Sequence, residues 1–323
     1  MNLIKSIVLN KAIDPSQTTM LREAFVRAMR MRFNKLRKLI YEVIVDDDVF
    51  GMSDNVTGFS AMERDNQQRE NRSKGIYINK KPGPGAFRFT RSGDKVAAFM
   101  KWLQEQVQDD ILQVTQIAQV GSAVDAAWTN IYIQDSYKRG IMRARTQLKG
   151  VAPPIGLTGG VEASLMNPFH IDRLGLLFTR VFNELKGITD AMDQQISRVL
   201  SQAMADGVGP RAIARRLNQV ITGMGKDLSM TDSLGRFIPA QRRAETLART
   251  EIIRAHAEAQ LQEFENWGVA GVTAKAEFVT AGDGRVCEKC ASLAGQIRTI
   301  KQAHGIIPVH PGCRCIWIPY IEN

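Results

Sequence analysis

The sequence predicts a mainly α N-terminal body with an extended arm, followed by a small α+β C-terminal module that carries a Cys/His cluster. Three observations carry this prediction. Apolar residues recur at the helical period over most of the chain, between breaks rich in Gly and Pro. The period changes to two beyond Gly268. All four cysteines fall between Cys287 and Cys315, and none precedes them.

Asp14-Pro15-Ser16-Gln17 reads as a helix start, after which Leu21, Phe25, Met29, Leu36, Leu39, Ile40 and Val43 recur near the helical period. Arg22, Arg27, Arg30, Arg32, Lys35, Arg37 and Lys38 crowd the same stretch. Such a basic helix is either a solvated face or a surface for an acidic partner or DNA phosphates. Residues 51–92 are polar and interrupted by Gly and Pro, which predicts an extended arm with a short hairpin around Ile76–Phe89. Phe50, Phe59, Ile76, Tyr77, Ile78, Phe87 and Phe89 are too many apolar side chains for a spacer, so the arm is expected to lie on another subunit.

Helical patterning resumes at Asp94, with Val96, Phe99, Met100, Leu103 and Val107 in one stripe, and again over residues 123–148. Gly150–Gly160 has the composition of a linker. Helices are then predicted over Ile171–Leu185, Ile188–Ala205 and Pro210–Ile221, with Pro210 in the first turn of the last. Arg211, Arg215 and Arg216 make a second basic group there. Pro239–Trp267 reads as one long helix with a narrow stripe of Ala244, Ala248, Ile252, Ala255 and Ala259, and Gly268 as its C-cap. Beyond it come a strand in VTAKAEFVTA, a turn at Asp283-Gly284, and a final strand IWIPYI with Pro319 at an edge or end. The predicted regions are 1–150, a helical region with the arm; 151–238, a further helical region; and 239–323, the C-terminal module.

Composition narrows the function. No run reaches the ~18 apolar residues of a membrane span. Lys5 interrupts the N-terminal apolar run, which does not read as a signal peptide, so the expectation is synthesis in a reducing cytoplasm. The net charge of +10 favours polyanionic partners, while 7% aromatic residues argue against a base-stacking platform.

Cys287-x2-Cys290 places two thiols on one side of a tight turn, as a tetrahedral metal requires. His310 and Cys313 have the same offset, and Cys315 follows. Five candidate ligands thus compete for four positions. One scheme takes Cys287, Cys290, His310 and Cys313; the other takes all four cysteines. In a reducing compartment clustered thiols of this spacing read as a zinc site, with disulfides or inert core thiols as the alternatives. Four protein ligands close the site, which marks a structural zinc that supplies folding energy to a module with little apolar mass. Asp283 stands where it can orient the first loop.

The order ARTEIIRAHAEA, DGRVCEKCASLAGQI and PVHPGCRC resembles the C-terminal domain of the phage Mu protein F-like head-morphogenesis family, over Leu247–Pro319. The resemblance implies a minor head protein of a tailed phage, made in the host bacterial cytoplasm and residing in the virion head interior. Its implied partners are the portal protein, capsid or other head proteins, and double-stranded DNA bound without sequence preference, in DNA packaging or ejection. Arg249, Thr250 and Glu251 carry over as the family's signature.

A buried Glu251 paired with arginine would be either an active-site element or a structural clamp, and the clamp is the expectation. No nucleophile–His–Asp set and no phosphate-cradling glycine loop accompanies it, so the chain is not expected to be an enzyme. His170, His256 and His304 read as surface or packing residues. Two other classes compete: a metal-assisted nucleic-acid-processing enzyme and a zinc-ribbon DNA-binding protein.

Overall fold

The computed structural model describes residues 14–52, 81–113, 127–149, 160–223, 238–269 and 274–321. In chain order its helices are α1 (Thr19–Tyr41), α2 (Ser92–Val107), α3 (Asn130–Lys149), α4 (Val161–Leu165), α5 (Pro168–Ala205), α6 (Pro210–Thr222), α7 (Ala240–Val269), α8 (Glu288–Leu293) and α9 (Ile300–Ala303). The strands are β1 (Ala274–Val279), β2 (Ile297–Thr299) and β3 (Ile316–Ile321). The mainly helical body and the small C-terminal sheet are as the sequence predicts. The chain forms two compact units: Met1–Met29, Val114–Leu185 and Ala244–Asn323 in the first; Arg30–Gln113 and Lys186–Arg243 in the second. Among the described residues no helix is long and apolar enough to cross a membrane.

Several boundaries differ from the sequence reading. The helices expected over 171–185 and 188–205 are one helix, α5. A glycine inside a helix costs about 1 kcal/mol relative to alanine, but Val181, Leu185, Ile188 and Met192 keep the buried stripe in phase across Gly187. The long helix α7 runs through Gly268 to Val269 and does not end at that glycine. The predicted arm falls largely on residues 53–80, outside the described residues. Of the expected hairpin, residues 84–87 form a turn.

In the second unit Phe50 and Phe87 are not partner-facing, as the arm reading had them. They meet Phe99 of α2, with ring centroids 5.6 and 6.1 Å from it, and are 1% and 8% exposed. Aromatic side chains carry a large apolar area each, and packing three together removes it from water. The Phe87 amide donates to the Val49 carbonyl at 2.8 Å and fixes that closure. Helix α6 opens with Pro210 at its first position and closes on Gly223 at φ +78. A Cβ on Gly223 would lie 2.0 Å from Cγ of Pro239, so both the backbone and the space demand glycine.

The first unit is organised around α7. Asp14 opens α1: its carboxylate accepts from the Thr18 amide at 3.0 Å and pairs with Arg22 at 2.6 Å, and Phe25 then stacks on Tyr132 of the residues opening α3 at 4.6 Å. The predicted small stripe of α7, Ala244, Ala248, Ile252, Ala255 and Ala259, is wholly buried. It lets α3 approach closely: Ser136 donates to the Ile252 carbonyl at 2.6 Å. A Cβ on Gly140 would meet the His256 carbonyl oxygen at 2.4 Å and Ala259 Cβ at 2.7 Å.

The sheet has the order β2-β1-β3, antiparallel throughout. Pro319 lies on the edge strand β3 opposite Ala276, where its missing N–H is tolerated. Phe278 and Trp317 pack edge to face at 5.4 Å. Their cluster takes in Ile253, Leu261 and Phe264 of α7, Ala144 and Leu148 of α3, and Cys290, Cys313 and Cys315. The C-terminal module therefore shares its core with α3 and α7.

Gly140→Ala tests the close crossing. Alanine in a helix interior ordinarily gains about 1 kcal/mol over glycine. Here overpacking against backbone reverses the sign, and the variant loses about 1–3 kcal/mol in urea unfolding. A variant as stable as the parent would mean that α3 and α7 do not pack this tightly.

Candidate metal centre

The first ligand loop begins at β1. The Val286 amide closes a turn on the Asp283 carbonyl at 3.1 Å, which delivers Cys287 to the N-terminal end of α8. The Cys287 sulfur accepts from the Cys290 amide at 3.4 Å. This bond turns both thiols to the same side. In the second loop the Cys313 amide donates instead to the backbone carbonyl of His310 at 3.1 Å. The equal offsets in the sequence thus become a helix N-terminus at Cys287–Cys290 and a backbone-closed turn at His310–Cys313.

The turns bring all five predicted ligands into two overlapping groups. Cys287, Cys290 and His310 form one; Cys290, Cys313 and Cys315 form the other; within each, the ligand atoms lie within 4.8 Å of one another. Cys290 belongs to both. Its sulfur is 3.3 Å from His310 Nε2 and 4.0 Å from the Cys313 sulfur. A tetrahedral zinc with ordinary bond lengths separates sulfur pairs by about 3.8 Å and sulfur–nitrogen pairs by about 3.6 Å, so the donors already stand at ligand spacing. These clusters could hold a metal ion.

Protonation agrees with that chemistry. His310 Nδ1 lies 2.9 Å from the Pro311 carbonyl, which can only accept, so Nδ1 carries the proton and Nε2 offers its lone pair towards Cys290. The Cys315 thiol bonds to Cys313 and, against burial, holds Cys313 down at about 5. Burial, with the neighbouring Cys313, pushes Cys290 up to about 12, and Cys315 is raised by its bond to Cys313 and then by burial. The sulfurs share protons that a soft cation would displace. Cys287 is exposed while the other three are buried, so the cluster runs from the surface into the core.

Three ties hold the loops. Asp283 accepts both Nη atoms of Arg314, at 2.7 and 2.6 Å, and the Arg285 amide at 3.1 Å. The Arg314 fork, ahead of opposing burial, holds the Asp283 carboxyl well below the usual carboxylate range. Asp283 thus clamps the first loop to the segment between Cys313 and Cys315, beyond the local orienting role expected from the sequence. Thr250 of α7 accepts the Gly312 amide at 3.4 Å. Glu258, also on α7, accepts the Gly305 amide at 2.9 Å and His304 Nδ1 at 2.7 Å. Burial raises the Glu258 carboxyl, but these bonds outweigh it and leave it lowered.

The other signature residues are placed differently. Glu251 is 2% exposed and clamps Arg254 at 3.1 Å and Arg180 of α5 at 3.4 Å. Arg249 is exposed and faces Glu245 at 3.8 Å. The sequence reading missed two buried carboxylates of α7, Glu258 and Glu263. Glu263 pairs with Arg145 at 2.6 Å and with His170 at 3.0 Å, and His170 bonds in turn to the Tyr137 hydroxyl at 2.9 Å. In a helix also rich in Arg and Gln they look like solvated charge; only their place beside Ala residues that step by whole turns could have pointed inward.

The basic groups are spread over α1 and α6. Arg22 is tied to Asp14, while Arg32 donates to the Asp110 carbonyl at 2.7 Å and Lys35 pairs with its carboxylate at 2.6 Å. Arg30 is engaged as well. Arg27 and Lys38 are placed on α1 with Arg37 between them in sequence, Arg27 exposed and the other two at or near the surface. On α6, Arg211 is exposed and Arg216 faces Asp206 at 3.6 Å, with Arg215 beside it.

The Cys/His cluster is pinned to a long helix and offers thiol and imidazole donors that could hold a metal ion. Residues 194–318 match the family model described as phage Mu protein F like protein. The match bears out the resemblance drawn from the Arg-Thr-Glu helix and the cysteine loops and extends it towards the N-terminus. No curated protein and no solved structure matches the chain.

Asp283→Asn keeps the shape but loses the charge that holds Arg314. Metal affinity of the full chain should fall about tenfold, read by competition with a chromophoric chelator. An unchanged affinity would mean that the loops hold their spacing without this clamp.

Proposed function

We propose that this protein is a minor head protein of a tailed phage. It is a structural, non-enzymatic component of the virion head interior, bound to the portal and to other head proteins, contacting packaged double-stranded DNA, and carrying one structural zinc. The observation that carries the reading is the family match over residues 194–318, which includes the helix α7 and all five candidate ligands. Soft thiolates with an imidazole favour zinc over harder cations. Cys290 is the ligand common to both groups, and its partners are Cys287 and Cys313 with either His310 or Cys315. The net charge of +10 suits a protein that meets phosphate inside a DNA-filled shell.

Mass spectrometry of purified virions tests the class: the protein should be present in heads and should copurify with the portal. Its absence from virions would sink the reading. Elemental analysis of reduced, full-length protein should give about one zinc per chain, and Cys290→Ala should give none. His310→Ala and Cys315→Ala then separate the two ligand sets, since only the true ligand abolishes binding. Because the module shares its core with α3 and α7, chelation should lower the melting temperature of the whole first unit by several degrees. Replacing Arg27, Arg37 and Lys38 with Gln should reduce the salt slope of DNA binding by about 0.9 for every phosphate that these side chains neutralise; an unchanged slope would remove α1 from the DNA surface.

A further inference from the structure

The first unit carries a second polar site, away from the cysteines. Arg173 and Arg180 of α5, Arg254 of α7, and His304 line an open pocket of 340 Å³, with Leu176 and Leu177 as its apolar wall. The carboxylate of Glu258, 7% exposed, is part of the lining, and that of Glu251, 2% exposed, lies outside it. Both hold the arginines. Glu251 takes Nε of Arg254 at 3.1 Å and Nε of Arg180 at 3.4 Å; Glu258 takes Nη1 of Arg173 at 3.4 Å. Glu258 also takes Nδ1 of His304 at 2.7 Å, which fixes the imidazole and leaves Nε2 as its other nitrogen.

We infer that this pocket is a binding site for a phosphate oxyanion. Two buried carboxylates pin three guanidiniums, which leaves an excess of positive charge and outward N–H donors in a fixed arrangement. Glu184 also approaches Arg180 at 3.4 Å, but its side chain is half exposed and such a surface pair is readily displaced. The donors come from two helices and a loop. A carboxylate has two oxygens and is satisfied by one arginine fork; a tetrahedral phosphate can engage donors from several directions at once. The pre-formed pairs matter, because guanidiniums already immobilised lose little freedom on binding. The phosphate comes from the DNA backbone or from free phosphate. The DNA source rests on the proposed DNA contact; the oxyanion site itself does not.

The test uses the full-length protein with its metal. Arg173→Gln and Arg180→Gln are combined, because Arg254 must stay to neutralise buried Glu251. Arg198→Gln, on the same helix and outside the pocket, is the control. Inorganic phosphate is titrated calorimetrically at constant ionic strength, with a glutamate-rich peptide as the carboxylate probe. The parent and the control should bind phosphate alike, and the double variant about tenfold or more weakly, with circular dichroism and metal content unchanged. No binding by the parent, equal binding by the double variant, or binding of the peptide in place of phosphate would overturn the inference. If the double variant also shows a shallower salt slope with duplex DNA, the backbone is the source. If phosphate binding is lost and the DNA slope is unchanged, the site serves free phosphate, and the DNA contact is decided by the α1 variants alone.

Discussion

Helix α7 is buried on nearly every side, yet it carries three carboxylates that cannot be left unpaired. A buried charge without a partner costs several kcal/mol, so each of Glu251, Glu258 and Glu263 fixes a neighbour. Glu251 holds Arg180 of α5 along with its own Arg254. Glu258 holds His304 and the Gly305 amide in the loop that leads to the metal ligands. Glu263 holds Arg145 of α3 and His170 at the start of α5. For Glu263, burial raises the carboxyl and the bonds from His170 and Arg145 more than offset it, so it remains the charged partner that the arginine needs. The small residues between the carboxylates let α3 come close enough for these bonds to form. Packing and pairing on α7 are therefore one constraint, and the first unit is built around it.

The Cys/His cluster depends on the same helix. Thr250 and Glu258 grip the second ligand loop at Gly312 and Gly305, on either side of His310. Eight residues of helix separate the two grips, about 12 Å along its axis. That distance sets the span of the loop before any metal enters. Asp283 and Arg314 then close the first loop on the second. The candidate ligands are thus held by bonds among the chain's own groups, and three of the four cysteines also serve as core residues.

Elements with a strong period were legible from residues alone: α1, α2, α6, α7, and the strands β1 and β3. The two cysteine turns were legible as well, because a C-x2-C offset and its His-x2-Cys repeat have few geometric solutions. What escaped was whatever depends on distant partners. Strand β2 is three residues long and exists only because β1 pairs with it. Gly187 reads as a break, but the buried stripe on either side carries α5 through it. Phe50 and Phe87, parted by a polar stretch, read as an arm until Phe99 brings them together. Glu258 and Glu263 look like solvated charge in a helix with so many polar residues. Their burial follows from what α3, α5 and the loop after α9 place against them, and no local pattern encodes that.

Arg249, Thr250 and Glu251 lie some forty residues before the first cysteines, and the fold joins two of the three to them or to the helix body. Thr250 contacts the ligand loop directly, through the Gly312 amide. Glu251, next to it on the helix, points to another side and fixes α5 through Arg180. Arg249 is exposed and holds nothing in the core. Two adjacent residues thus connect the helix to the metal loop and to the body. A change at either one would move the ligand loop or the helix that carries it, and the metal alone could not restore the geometry. Thr250 and Glu251 are then a positional constraint on α7, and their spacing from the cysteines is set by the length of chain needed to form β1, α8, β2 and α9 and return to that helix.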